Sequence, residues 1–164
     1  MYRRRIRTGK SKYSNTSTNI SIKHEGSINK GVQITYPIVP TSTTFGTRKV
    51  KNMTITIDQA GFAQPLLWAL VYRPDGTSLS NLTVDGYDAT AQNPSIPEIY
   101  RPNQNVIMQG IIDPANNIPI RITTRLARNL DSGDTIYLVV TPYLDDDTTD
   151  DKYIIGTVNY SIKF

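Results

Sequence analysis

The chain has no cysteine among its 164 residues, so it holds neither a disulfide framework nor a thiolate metal site. It has one histidine, His24, in a polar segment at the end of a short strand-like piece. With no second histidine, neither a His-centred zinc site nor a catalytic triad is supported. There is no Gly-rich phosphate-cradling motif, no pair of acids placed for general acid–base work, and no internal repeat. The chain is therefore read as not an enzyme. Long apolar runs are also missing. The longest, Leu66 to Tyr72, has 7 residues, whereas a membrane-spanning helix needs about 20. Met1-Tyr2-Arg3-Arg4-Arg5 is not followed by an apolar stretch of the kind a secretory signal carries. Five Asn-X-Ser/Thr triplets, at Asn15, Asn19, Asn52, Asn81 and Asn159, read as chance in so Asn-, Ser- and Thr-rich a chain.

What is present reads as β-structure. No window of a dozen residues has a helical period, and the abundant Thr, Ser, Asn and Asp favour strand faces and turns. Leu66-Leu67-Trp68-Ala69-Leu70-Val71-Tyr72 lies between Gln64-Pro65 and Pro74-Asp75-Gly76. A short run without polar alternation, bounded by breakers, predicts a strand buried on both faces. Trp68, the only tryptophan, is then the core anchor between two sheets. Alternation predicts further strands at Asn19–Lys23, at Val32–Val39 with Ile34, Tyr36 and Ile38 on one parity, and at Lys49–Asp58 with Met53, Ile55 and Ile57 inward. Val106–Ile112, Ile118–Thr123, Thr135–Val140 and Val158–Phe164 complete the set. Asn129–Asp134 reads as a polar turn, and 73–104 as a long loop of the kind that carries function or its own structure. About eight strands with uneven loops predict an all-β, single eight-stranded jelly-roll sandwich. Periodicity alone leaves an immunoglobulin-like sandwich open.

Charge is distributed unevenly. Residues 1 to 12 carry Arg3, Arg4, Arg5, Arg7, Lys10 and Lys12 and no acid, while the rest holds 12 bases against 14 acids. The expectation is a disordered basic N-terminal arm over residues 1–17, followed by one domain over 18–164. An acid-free basic tail binds phosphate backbones without reading sequence. Arginine suits this because its planar fork donates two parallel hydrogen bonds. Tyr2 and Tyr13 flank the charges and can stack on unpaired bases. At the other end, Asp145, Asp146, Asp147, Asp150 and Asp151 form the densest acidic cluster. A solvated loop is the first reading. A structural calcium site is the second, because hard cations gather carboxylate oxygens, although the spacing is not that of an EF-hand.

Three blocks, in order, resemble a known family. Leu67-Trp68-Ala69-Leu70-Val71-Tyr72-Arg73-Pro74-Asp75-Gly76 is similar to a WALVY-P-G segment. Tyr100-Arg101-Pro102-Asn103-Gln104-Asn105-Val106-Ile107-Met108-Gln109-Gly110 is similar to a Y-P-NQNVI--G block. Leu126-Ala127-Arg128-Asn129-Leu130-Asp131-Ser132-Gly133-Asp134-Thr135-Ile136 is similar to an L-RNL-SGD-I block. Arg48-Lys49-Val50-Lys51 before a strand fits as well, so the likeness spans about residues 48 to 140. The chain thus resembles the capsid proteins of small circular, Rep-encoding single-stranded DNA viruses (the circovirus-like, CRESS-DNA group). The resemblance implies a jelly-roll subunit that assembles with itself as a homo-60-mer, a T=1 icosahedral virion around single-stranded DNA. It also implies an arm that contacts the genome and engages a host nuclear import receptor, with assembly in the host nucleus. The arm here is shorter and less arginine-rich than in many relatives.

Two other readings compete. A coat protein of a small positive-strand RNA virus or satellite shares the jelly roll, the basic arm and an acidic loop. A carbohydrate-binding β-sandwich needs exposed aromatic platforms, which a single Trp in an apolar run does not supply.

Overall fold

The computed structural model describes residues 12–43, 46–77, 105–116 and 118–164. Nine strands occur among them, and no helix. They are β1 (Ser14–His24), β2 (Ile34–Val39), β3 (Arg48–Ala60), β4 (Leu66–Arg73), β5 (Val106–Ile112), β6 (Ile120–Thr124), β7 (Arg128–Leu130), β8 (Thr135–Pro142) and β9 (Lys152–Lys163). One sheet has the order β1-β9-β3-β6, with β7 paired to the start of β3; the other has the order β2-β8-β4-β5. All pairings are antiparallel. The pairs β1/β9, β2/β8, β3/β6 and β4/β5 make one long antiparallel ribbon, folded so that its halves meet again at β3/β9 and β4/β8. This is the jelly roll, and the strand order excludes the immunoglobulin alternative.

Alternation decides which side chains enter the sandwich. From the first sheet, Ile20, Val50, Met53, Ile55, Ile57, Ile154, Val158 and Tyr160 point inward; from the second, Ile38, Leu66, Trp68, Leu70, Leu138 and Val140 do so. Leu67, Ala69, Val71 and Val139 form a second buried cluster with Val106, Tyr137 and Tyr143. β4 is therefore buried on both faces, as its unbroken apolar run predicts. Trp68 is fully enclosed. It lies opposite Gly110 of β5. A Cβ at Gly110 would meet the indole Nε1 at 2.9 Å and ring carbons at 3.0 and 3.1 Å. Glycine is thus required there by close approach of the ring, not by a turn.

Two expectations change. Asn129–Asp134 is not wholly a turn: Arg128–Leu130 form β7, and Leu130 is fully buried. Three residues are too few to show alternation. β3 also switches parity partway, because its register with β9 shifts between Lys51 and Thr54, and Asn52 sits at φ 53°. Such a bulge puts two residues opposite one and turns the strand. Asparagine tolerates that conformation. Val50 and Met53 can then both face the core although their numbers differ in parity.

The Trp68–Gly110 contact yields a direct test. Trp68→Ala should cost about 3–5 kcal/mol through lost burial and the cavity left behind. Gly110→Ala should cost about 1–3 kcal/mol by overpacking the same spot. Both are read as losses in denaturant midpoint at unchanged slope. Unchanged midpoints would place Trp68 outside the core.

Candidate nucleic-acid interface

The face of the first sheet that turns away from the core is polar along most of its length. The register aligns its side chains in rows across the strands. Lys163 lies opposite Lys49, Asn15 and Lys51 flank Ser161, and Ser17 and Thr54 flank Asn159. Asn19 and Thr56 flank Thr157, with Arg121 beyond Thr56. These rows hold four cations, Lys49, Lys51, Arg121 and Lys163, and no acid. Asp58 of β3, opposite Ile155, lies one row beyond Thr56; at the other end Asp131, just after β7, accepts from the Thr47 hydroxyl at 2.7 Å, one step beyond the Lys49–Asn129 pair. Hydroxyls and amides fill the rest of the rows: Thr54 shares a 3.0 Å hydrogen bond with Thr123, and Ser161 Oγ donates to Asn15 Oδ1 at 3.0 Å. Lys51 Nζ lies 3.8 Å from the centre of the Tyr13 ring, which pins the start of the chain's described part to this face.

Of the arm cations, Arg3, Arg4, Arg5, Arg7 and Lys10 lie outside the described residues; Lys12 is exposed, directly before Tyr13. Ser14 to Ser17, which the sequence assigns to the arm, pair with Ile162 to Asn159 of β9, so the sandwich begins at Ser14. Their Ser/Thr/Asn composition resembles a linker, and β9 is what holds them in a sheet. The cations of this face were not legible as a group. Lys49 and Lys51 are visible as alternate positions of one strand, but Arg121 and Lys163 join them only through the register.

The acidic cluster does not converge. Among the described residues no group of three or more Asp, Glu or His side chains is placed to hold a metal ion; the structure does not gather Asp145, Asp146, Asp147, Asp150 and Asp151, the candidate calcium site, into one cluster. Nor are they simply a solvated loop. Asp145 accepts from the Lys30 amide at 2.7 Å. Asp151 pairs with Lys23 at 2.9 Å. Asp146 is buried and accepts from the Ala63 amide at 2.7 Å, from the Thr148 amide at 3.2 Å and from the Thr148 hydroxyl. Lys152, fully buried, lies 3.4 Å from Asp146 and donates to the carbonyls of Gly26, Thr148 and Asp150. Asp147 and the Asp150 carboxylate are left exposed. His24 sits 3.2 Å from the Ser27 carbonyl, a local turn contact. Trp68, enclosed in the core, offers no platform for a sugar ring.

A second buried carboxylate joins the sequence blocks. Asp134 accepts from the Tyr72 hydroxyl at 2.7 Å, the Asp131 amide at 2.8 Å and the Asp75 amide at 2.9 Å. Arg48 donates to the Pro40 and Asp134 carbonyls. Burial alone would push the Asp134 carboxyl up. The Tyr72 hydroxyl, the two amides and the Arg48 charge outweigh it and hold the group below its ordinary range. Burial, followed by the same hydrogen bond to Asp134, pushes Tyr72 up to about 12. Asp146 is likewise held low: burial opposes, but Thr148, the Ala63 amide and Lys152 prevail.

No protein-family model matches the chain, and no curated protein does. Solved structures do. Tomato aspermy virus shares 13% identity over 95% of this chain and 80% of its own, at a TM-score of 0.46. The capsid asymmetric unit of cyanophage Pam1 shares 14% over 93% and 88%, at 0.42. Desmodium yellow mottle tymovirus shares 15% over 91% and 81%, at 0.34. At such scores the strand order, not the likeness, identifies the fold.

Asp134 and Asp146 make stability acid-sensitive in a defined sense. Their folded values lie below the unfolded value of about 3.9. Their contribution is therefore complete well above pH 4 and is lost as pH falls through the folded values. Melting temperature should be flat above about pH 5 and drop below it. Asp134→Asn should be less stable at neutral pH and show a shallower acid drop; an identical pH profile in that variant would discount the network. Lys152→Met leaves Asp146 buried without its cation and should cost about 3–5 kcal/mol. A denaturation midpoint equal to the parent's would show that Asp146 does not need it.

Proposed function

We propose that the chain is a viral capsid subunit, not an enzyme, that assembles with itself into a small icosahedral shell. As the family resemblance implies, the shell has on the order of sixty copies around circular single-stranded DNA, in closed symmetry. One observation carries the nucleic-acid part. The acid-free run Arg3, Arg4, Arg5, Arg7, Lys10 and Lys12 leads, through Tyr13, onto a sheet face bearing Lys49, Lys51, Arg121 and Lys163 without an intervening acid. Phosphate neutralisation of this kind is independent of sequence. The jelly roll supplies a rigid, edge-managed block for tiling. The three sequence blocks favour the DNA group over a positive-strand RNA virus. On this reading the protein resides in the virion and, during assembly, in the host nucleus, with the basic run also serving an import receptor. The long loops at 73–104, of which 78–104 lie outside the described residues, and at 141–152 build subunit contacts and outer surface.

Electron microscopy of purified protein should show uniform closed particles; a monodisperse monomer at every salt and pH tried would count against assembly. For nucleic acid, six arm charges correspond to a salt slope of roughly −0.7 × 6, or about −4, so raising salt from 50 to 200 mM should weaken single-strand binding roughly 300-fold. Removing residues 1–12 should flatten that slope. Equal affinity and equal slope in both proteins would move the contacts away from the arm.

A further inference from the structure

The bulge in β3 opens a groove on the basic face. It encloses about 300 Å³ and is lined by Asn15, Ser17, Asn52, Asn159 and Ser161 among others. Lys51 precedes Asn52, and Lys49 and Lys163 face each other one row beyond. Without the bulge, residue 52 would continue the ladder between β3 and β9. With it, Asn52 is exposed at φ 53° and lines the groove. Bulges recur where a strand must re-aim a side chain. Only one hydrogen bond, from Ser161 to Asn15, ties these lining side chains to each other. Asn52 and Asn159 thus keep both a donor pair and an acceptor for a ligand.

We infer that this groove is a binding site on the capsid wall for a nucleotide unit of single-stranded nucleic acid, with an unpaired base at the asparagines and its flanking phosphates on Lys49, Lys51 and Lys163. The inference rests on the nucleic-acid reading above and extends it from the arm to the wall. Side-chain amides match the hydrogen-bonding edges of unpaired bases. Lysines act on phosphate as point charges. The rows that carry Lys51, Asn159 and Thr157 hold no acid to repel a backbone. Charge numbers demand such a wall. About sixty arms with six cations each give about 360 charges. DNA that encodes these 164 residues alone runs to about 490 nucleotides, with one phosphate each. The arms cannot neutralise it.

The test compares full-length variants by fluorescence anisotropy with labelled oligothymidylate and oligouridylate, each as a salt titration. Lys49→Gln, Lys51→Gln and Lys163→Gln together should reduce the salt slope by about two. Asn52→Gly, which keeps the left-handed backbone accessible, should weaken binding severalfold at unchanged slope, because no phosphate contact is lost. Asn52→Asp should weaken it further, and thermal melting checks that each variant is folded. If the triple variant melts early, the two Asn52 variants decide alone. Parent affinity in the Asn52 variants, or parent slope in a folded triple variant, overturns the groove. A full-length protein with all six arm cations changed to Gln separates the two ideas. If it loses binding while the wall variants keep it, the arm reading stands and the groove falls. If neither set of changes matters, the nucleic-acid reading itself fails. Equal losses on both oligonucleotides assign recognition to base and phosphate, and a loss on oligouridylate alone excludes DNA as the groove's ligand.

Discussion

Asp134 is the group on which one end of the sandwich depends. It is nearly inaccessible to water, and a bare carboxylate there would be costly. It is tolerated because a hydroxyl, two amides and a nearby guanidinium meet it. The donors come from three pieces of chain. Tyr72 and Asp75 close β4, Asp131 opens the turn into β8, and Arg48 starts β3. The carboxylate therefore draws three strand ends together across the two sheets. Gly133 belongs to the same knot: a Cβ there would collide with the Asp75 side chain. The blocks that carry the family resemblance thus meet in space. Trp68 of the first faces Gly110 of the second, and Tyr72 and Asp75 of the first bond Asp134 of the third. Their side chains hold the fold.

Asp146 and Lys152 form the corresponding anchor elsewhere in the molecule. Asp146 ties Ala63, ahead of β4, to the segment between β8 and β9, and the Asp146 backbone bridges to Ile28. Lys152 gathers three carbonyls that no strand serves. A run of acids thus resolves into groups with separate tasks: one buried anchor, one amide acceptor, one surface partner for Lys23, and exposed charges. With those carboxylates committed, the basic face of the first sheet meets no competing acid in its central rows. The separation of anchors from that face is what makes a phosphate-binding reading physically coherent.

Much of the fold was legible because burial imposes a period on the chain. Ile34, Tyr36 and Ile38 fall on one side of β2, Met53, Ile55 and Ile57 on one side of β3, and the unbroken run of β4 is covered on both faces. β7 was not legible, since three residues carry no period. Nor were Ser14–Ser17, whose hydroxyls and amides suit a coil as well as an edge strand; pairing with β9 decides between the two. The arm cations could be read directly, since six like charges within twelve residues need no partner in the chain to be recognised.

By itself, then, the sequence determined the class of fold, the position of the central strand and the separation of charge into a basic end and a near-neutral body, all properties of neighbouring residues. Only the tertiary structure decided which strands pair, and hence that Lys163 stands beside Lys49, Arg121 beside Thr56 and Asn159 beside Thr54. It also decided that Asp146 is buried while its neighbours Asp145 and Asp147 are not. The reason is physical. Alternation tells which face a residue takes within its own strand, whereas register, bulges and burial depth are set by contacts between distant segments, such as Ser161 and Asn15, 146 residues apart.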